Sequence, residues 1–282
     1  MKIESKTLEE LEQIHEYGPV EGVFKVNDDD YHAFKAGVNS TSIKAAAISL
    51  AHYNAVAHPD ESMPLTWRPD YFAFGSAFHA YMLDKDEFNK SFIAKPKLDL
   101  RTKEGRAWKL ENKDKHILDE LDMYKIEQMA KNIYESDYWQ DYTAGEHYTE
   151  VAMFWVCPTS NMQCKSKVDL LSLEHGILDL KTTAKPITSK DIFYGYKNFR
   201  YDLQEAHYVA GVRACVPYMS EAFALGWCEK SPPFTTRLTV LDESTRRNTE
   251  AEYKALMLAI DYANRNNQYP GLGNDGILEV RL

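Results

Sequence analysis

Three short apolar segments between residues 147 and 183, separated by two tight turns, constrain this chain more than any other stretch. HYTEVAMFWV, CKSKVDLLSL and GILDLKTT are rich in β-branched and aromatic residues, which pack well on a pleated surface. Pro158-Thr159-Ser160-Asn161 and Glu174-His175-Gly176 lie between them, so the three read as a β-meander. Helical patterns flank the meander on both sides. Before it come IKAAAISLAHYNAVAH, capped by one of the polar residues Asn39–Ser42 and closed at His58-Pro59-Asp60, then YFAFGSAFHAYML, then a long helical region from about Trp108 to Ser136. After it come the helix YDLQEAHYVAGVRACV, the strands EAFALGWCE and TTRLTVL, the helix ESTRRNTEAEYKALMLAIDYANRN, and an irregular tail from Tyr269. The expectation is an α/β (α+β) domain with a mixed central β-sheet flanked by helices and an N-terminal helical part. Residues 1–37, with a short helix ended by Gly18-Pro19 and a solvated Asp28-Asp29-Asp30 turn, read as an appendage, and residues 38–282 as one domain.

The chemistry sits in that meander. Asp169 closes Val168-Asp169 on one expected strand, and Asp179 and Lys181 lie in Leu178-Asp179-Leu180-Lys181 on the next. Strand side chains alternate, so Asp179 and Lys181 share a face, and hairpin pairing lets Asp169 approach it. Two converging carboxylates are costly unless a cation neutralises them, and hard oxygen ligands suit Mg²⁺ or Mn²⁺. A lysine two residues on can orient or deprotonate an attacking water, or steady charge building on a phosphate. D-x-K alone is usually a surface ion pair. Here Asp179 is flanked by apolar residues, where an unpaired charge without a task is hard to tolerate.

Other features narrow the class. With 282 residues and 44% hydrophobic content the chain can bury a sizeable core. No apolar run reaches the roughly 20 residues of a membrane-spanning helix, and the acidic, polar start lacks a signal peptide's apolar centre, so a cytoplasmic protein is expected. Cys157, Cys164, Cys215 and Cys228 form no C-x-x-C pair, which argues against a zinc knuckle or an iron–sulfur cluster. A net charge of −10 disfavours a protein that coats nucleic acid but allows an enzyme with one basic inner surface. The stretch 95–109 is such a surface, with Arg101, Lys103 and Arg106 beside Trp108.

Taken together these residues resemble the PD-(D/E)XK nuclease superfamily in its RecB-like branch. Gly75-Ser76-Ala77-Phe78-His79 is similar to the branch's G-x-x-x-H helix, Asp179-Leu180-Lys181-Thr182-Thr183 to its D-x-K-T-T form, and Gln204-Glu205-Ala206-His207-Tyr208 to its Q-x-x-x-Y helix. Ser40-Thr41-Ser42 with Ala51-His52-Tyr53, and Asp99-Leu100-Arg101-Thr102-Lys103, resemble the exonuclease VIII (RecE) type of phage and prophage nucleases. Lys165-Ser166-Lys167 departs from the pattern, since an arginine or glycine before the Asp is more usual there.

The resemblance implies a restriction-endonuclease-like core and a metal held by His79, Asp169, Asp179 and the carbonyl of Leu180. Lys181 becomes the catalytic lysine, and Gln204 and Tyr208 place the DNA backbone and the attacking water. Glu150 is a candidate for a supporting role beside the metal. Arg101, Lys103, Arg106 and Trp108 become DNA contacts, and Ser42 a holder of a terminal phosphate. The implied activity is Mg²⁺-dependent 5′-to-3′ digestion of one strand of linear duplex DNA to give a 3′ overhang for recombination, with Mn²⁺ able to substitute. The implied partners are double-stranded DNA ends, a single-strand annealing protein and further copies of the chain in a ring. Two competing readings are a DNA-binding or scaffolding module that lost catalysis, disfavoured by the intact Asp169, Asp179 and Lys181, and a glycosidase, which needs no lysine beside its carboxylates.

Overall fold

The computed structural model describes residues 2–59 and 71–273. The chain opens with β1 (Glu4–Ser5), α1 (Leu8–Tyr17), β2 (Gly22–Lys25) and α2 (Asp28–Ala33), then α3 (Ser40–Ala46) and α4 (Leu50–Ala57). Next come α5 (Tyr71–Leu83), α6 (Lys85–Ser91), β3 (Phe92–Ala94), α7 (Lys103–Glu111), β4 (His116–Leu118), α8 (Glu120–Tyr134) and α9 (Asp137–Ala144). The meander is β5 (His147–Val156), β6 (Gln163–Ser172) and β7 (Gly176–Thr183). It is followed by α10 (Ser189–Phe199), α11 (Tyr201–Cys215), β8 (Phe223–Glu229), β9 (Thr236–Thr239) and α12 (Glu243–Asn266).

The meander forms as its sequence dictates, and its turn needs Gly176. That residue has φ +82°, and an added Cβ would lie 2.1 Å from the Ala222 carbonyl oxygen. Seven strands make the main sheet in the order β1-β2-β5-β6-β7-β8-β9, with β7 parallel to β8 and antiparallel to β6. A parallel pair, β3 and β4, stands apart. One face of the sheet buries Val151, Met153, Trp155, Leu225 and Trp227 against α3, α11 and α12. The other buries Leu170, Leu178, Leu180 and Ala224 with Phe78 of α5 and Ile126, Met129 and Ile133 of α8. No helix among the described residues is long and apolar enough to cross a membrane.

Several local expectations change. Residues 2–37 add two strands to the sheet, with β2 antiparallel to β5, and Leu11, Val20, Tyr31 and Phe34 pack on Ala152 and Phe154. Asp28–Asp30 is not a turn but the first turn of α2, because Asn27 caps it and three carboxylates suit a helix N-terminus. The helix expected over 43–58 breaks at Ser49, whose hydroxyl accepts from the His52 N–H and starts α4 anew. The helix expected from 108 to 136 is two, α7 and α8, separated by β4, and the basic loop becomes helical from Lys103 because Thr102 caps it. Helix α10 has no counterpart in the sequence-based reading. Asp60 and the tail beyond Gly273 lie outside the described residues.

Two buried polar groups tie the N-terminal layer to the site. Lys165, the departure from the family pattern, is 4% exposed and donates to the carbonyls of Tyr31 (2.7 Å) and Phe34 at the C-terminal end of α2. That is the negative end of the helix dipole, so the buried ammonium is compensated there. His207 of α11 is fully buried, with Nε2 3.0 Å from the Lys165 carbonyl and Nδ1 3.2 Å from the Tyr253 hydroxyl. A carbonyl only accepts, so Nε2 carries the proton and the ring is neutral. Burial pushes its pKa down to about 4. A depressed folded-state pKa gives stability that is complete above the unfolded value near 6.5 and is lost as pH falls toward 4. His207→Gln is therefore expected to gain about 3 kcal/mol on the wild type between pH 6.5 and 4. Urea denaturation of both proteins across that window checks this; a stability difference that stays constant would refute it.

Candidate active site

Strands β6 and β7 pair from Leu170↔Leu178 to Ser172↔Gly176 and part beyond that point, which opens a cleft in the sheet. In the cleft the Leu180 N–H, without a ladder partner on β6, donates to Asp169 Oδ2 at 2.7 Å. N–H and C=O of one strand residue face the same side, so the Leu180 carbonyl also points into the cleft. Helix α5 brings His79 to the same carboxylate, Nδ1 to Oδ2 3.2 Å.

The third ligand group arrives through a backbone distortion. On β5 the register runs Thr149↔Leu170 and Val151↔Val168, which sets Glu150 opposite Asp169. Glu150 has φ +50°, a conformation that costs a non-glycine residue about 1–3 kcal/mol and tends to occur at working sites. It reverses the side-chain alternation: Tyr148 and Val151, three apart, join the same core. On the facing strand Val168 joins the core under α11, while Leu170 joins the one under α5. One ligand atom from each of His79, Glu150 and Asp169 lies within 4.8 Å of the others. Lys167 bridges Glu150 (3.0 Å) to Asp28 of α2.

Electrostatics set the charge states. Burial and the neighbouring Asp169 raise the Glu150 carboxyl to about 7. Burial would lower the His79 pKa, but the Asp169 carboxylate outweighs it and raises it to about 9. Asp169 itself is held below the usual range, because the His79 pairing overcomes the cost of burial. Three half-buried ligand groups around one point, one in a strained conformation, fit a divalent cation held by a nitrogen and carboxylate oxygens.

Asp179 and Lys181 share a face of β7, as alternation requires. Their side chains, Asp179 buried and Lys181 half-buried, form an ion pair next to the three donors rather than within them. Asp179 Oδ1 accepts from Gln204 Nε2 at 2.7 Å, and Gln204 Oε1 accepts from Lys44 Nζ of α3 at 3.0 Å. Tyr208, one turn along α11, is buried against Phe223 and near Gln204. Burial would lower the Lys181 pKa, but Asp179 outweighs it and keeps the ammonium charged. Lys181 therefore presents a cation and hydrogen-bond donor to the cleft. Lys44 and Lys181 both stand over the Tyr201 ring, 5.2 and 4.9 Å from its centroid.

The remaining expected DNA contacts lie on α7, the loop before it and α3. Arg101 is exposed and paired with Asp99 (3.0 Å), Lys103 and Arg106 are exposed on α7, and Trp108 is half-buried. Among the described residues none of the four is hydrogen-bonded, ion-paired or ring-stacked to the cluster around Asp169. Ser42 is 5% exposed, with its N–H and hydroxyl both donating to Asn39 Oδ1, the cap of α3. Sequence reasoning missed Lys44, Lys167 and Tyr201. The signal for Lys44 was a single cation in the apolar helix IKAAAIS, and for Tyr201 an aromatic one turn before Gln204.

The family model of a PDDEXK-like domain of unknown function, DUF3799, matches residues 40–274. No curated protein matches the sequence. A crystal structure of a protein from Eubacterium rectale, provisionally named an exonuclease, superposes with TM-score 0.59 at 16% identity, covering 91% of this chain and 95% of that one. At that identity the likeness speaks for the fold, and it agrees with the restriction-endonuclease-like architecture of a mixed sheet flanked by helices. Residues 40–274 span all of the candidate site, from Lys44 through His79 and the meander to Tyr208, and on that match the chain belongs to the PDDEXK-like DUF3799 family within the PD-(D/E)XK nuclease superfamily.

Proposed function

We propose that this protein is a cytoplasmic, Mg²⁺-dependent exodeoxyribonuclease that digests one strand of linear duplex DNA 5′-to-3′, leaving a 3′ overhang for recombination. What carries the reading is the convergence of His79, Glu150, Asp169, Asp179 and Lys181 from α5 and three adjacent strands on one cleft. His79, Glu150 and Asp169 would hold the metal, with the Leu180 carbonyl facing the same cleft. A metal bound there supplies Lewis acidity and a water more acidic than bulk water. Lys181, fixed by Asp179 and kept charged, neutralises charge developing on the phosphate. Gln204 fixes Asp179 from the other side, so the Asp179–Lys181 pair has one orientation. In-line attack breaking the P–O3′ bond would leave 5′-phosphates.

The resemblance to exonuclease VIII-type nucleases supports the polarity, the ring of copies around DNA and a single-strand annealing protein as partner. It also favours Arg101, Lys103, Arg106, Trp108 and Ser42 as contacts to DNA. The net charge of −10 accords with a ring whose basic residues face inward. The test is digestion of linear duplex DNA labelled at either end, in Mg²⁺, Mn²⁺ and EDTA, with a covalently closed circle as control. Loss of label from 5′ ends in either metal, abolished by EDTA and absent on the circle, is the expected result. Linear DNA left intact in both metals would reject catalysis and favour a DNA-binding module of the same fold.

A further inference from the structure

The aromatic residues at the α10–α11 junction are not used by the hydrolytic chemistry, yet they begin at the catalytic lysine. Tyr201, under Lys181 and Lys44, meets the Phe199 ring at 5.5 Å in a tilted arrangement, 31° between planes. Phe199 is 60% exposed and stands one ring away from the Lys181 ammonium. The pair is rigidly mounted. Arg200 between them adopts φ +47° and is locked by Asp202 (3.0 Å) and Glu252 (2.7 Å). Behind them Tyr196 and Tyr201 pack on Trp227 at 6.1 and 5.7 Å. Gly195 lets α10 approach that indole, since a Cβ there would lie 2.8 Å from it.

Resting on the nuclease reading, we propose that Phe199, backed by Tyr201, is the stacking plate for a base of the substrate strand beside the scissile phosphate, and that this base enters unpaired. The chemistry argues for a nucleobase as the occupant. A phosphate drawn to Lys181 and Lys44 leaves the attached base within reach of the aromatic pair, and every base offers a π-face whatever its sequence. A base inside a duplex is stacked and paired and cannot present that face, so the plate takes single-stranded or frayed ends. Phe199 is then a substrate-positioning residue whose effect falls on binding and not on bond cleavage.

The test is fluorescence anisotropy in EDTA with a labelled single-stranded oligonucleotide and a blunt duplex, beside steady-state hydrolysis of blunt and forked duplexes in Mg²⁺. Phe199→Ala is expected to weaken single-strand binding about 5- to 150-fold, the range base stacking on an aromatic provides. It should raise KM on forked ends with kcat within about twofold of wild type, and unfold at the same temperature, since the side chain is exposed. Phe199→Trp should bind like wild type and Phe199→Leu like Phe199→Ala, which separates ring stacking from simple apolar contact. Wild-type single-strand affinity in Phe199→Ala, in a protein that still cleaves DNA, would overturn the plate and leave the nuclease standing. A wild type that neither binds nor cleaves DNA would overturn both.

Discussion

Lys181→Met is expected to slow hydrolysis of linear duplex DNA by about 10²- to 10⁴-fold with the fold retained. The size follows from where the ammonium sits. It is half-buried, paired with Asp179, poised over Tyr201, and held above the ordinary lysine pKa chiefly by Asp179. A fixed charge in a partly enclosed cleft acts on developing phosphate charge with less solvent screening than a surface charge. Lys181→Arg should be nearly as slow, because a planar guanidinium cannot replace a compact ammonium in a pocket shaped by Asp179 and Tyr201. Removing the lysine strands Asp179, but Gln204 still donates to it and its pKa is already raised by burial, so it can take a proton instead of unfolding the sheet. Single-turnover hydrolysis measures the loss, and circular dichroism the fold. Activity of either variant within tenfold of wild type would sink the assignment of Lys181.

The second large effect concerns the metal. Asp169→Asn is expected to lower affinity for Mn²⁺ at least about 100-fold and to remove activity with it, because Asp169 both offers a ligand oxygen and orients His79. The wild type should also bind more tightly as pH rises. In the metal-free protein His79 holds its proton up to about 9 and Glu150 up to about 7. A cation must displace those protons, so affinity should climb up to about tenfold per pH unit from 7 to 9 and level off above. In Asp169→Asn the carboxylate that raises the His79 pKa is gone, and this slope should flatten. Glu150→Gln should keep the His79 part of the slope while weakening binding. Calorimetric titration with Mn²⁺ at pH 7, 8 and 9 in buffers of different ionisation heat reads both affinity and protons released. A pH-independent affinity would argue that the metal, if bound, sits away from His79.

The contrast between α7 and the groups around Tyr201 shows how far local pattern reaches. Basic residues beside a tryptophan at 95–109 carry an expectation of DNA contact, and the structure sets Lys103 and Arg106 exposed on a helix capped by Thr102. Tyr201 and Lys44, which adjoin the Asp179–Lys181 pair, come from segments with no such density of signals. Charge runs are visible in one dimension; proximity is not.

The sequence by itself determined the meander, the shared face of Asp179 and Lys181, and the helical spacing of Gln204 and Tyr208. All follow from the fixed periods of strand and helix within a few residues. It also exposed the family pattern, because His79, Asp169, Asp179, Lys181 and Gln204 keep their order and local context along the chain. Tertiary structure alone decided which groups meet. Strand register and the left-handed turn at Glu150 moved that residue from the edge of the site into the set facing His79 and Asp169. Packing of α3 on α11 brought Lys44 across 160 residues to Gln204. The β1–β2 and β2–β5 pairings made the N-terminal segment part of the sheet. Such contacts depend on how whole elements dock, and docking is governed by buried area and register summed over many residues, so no short window of the chain can encode it.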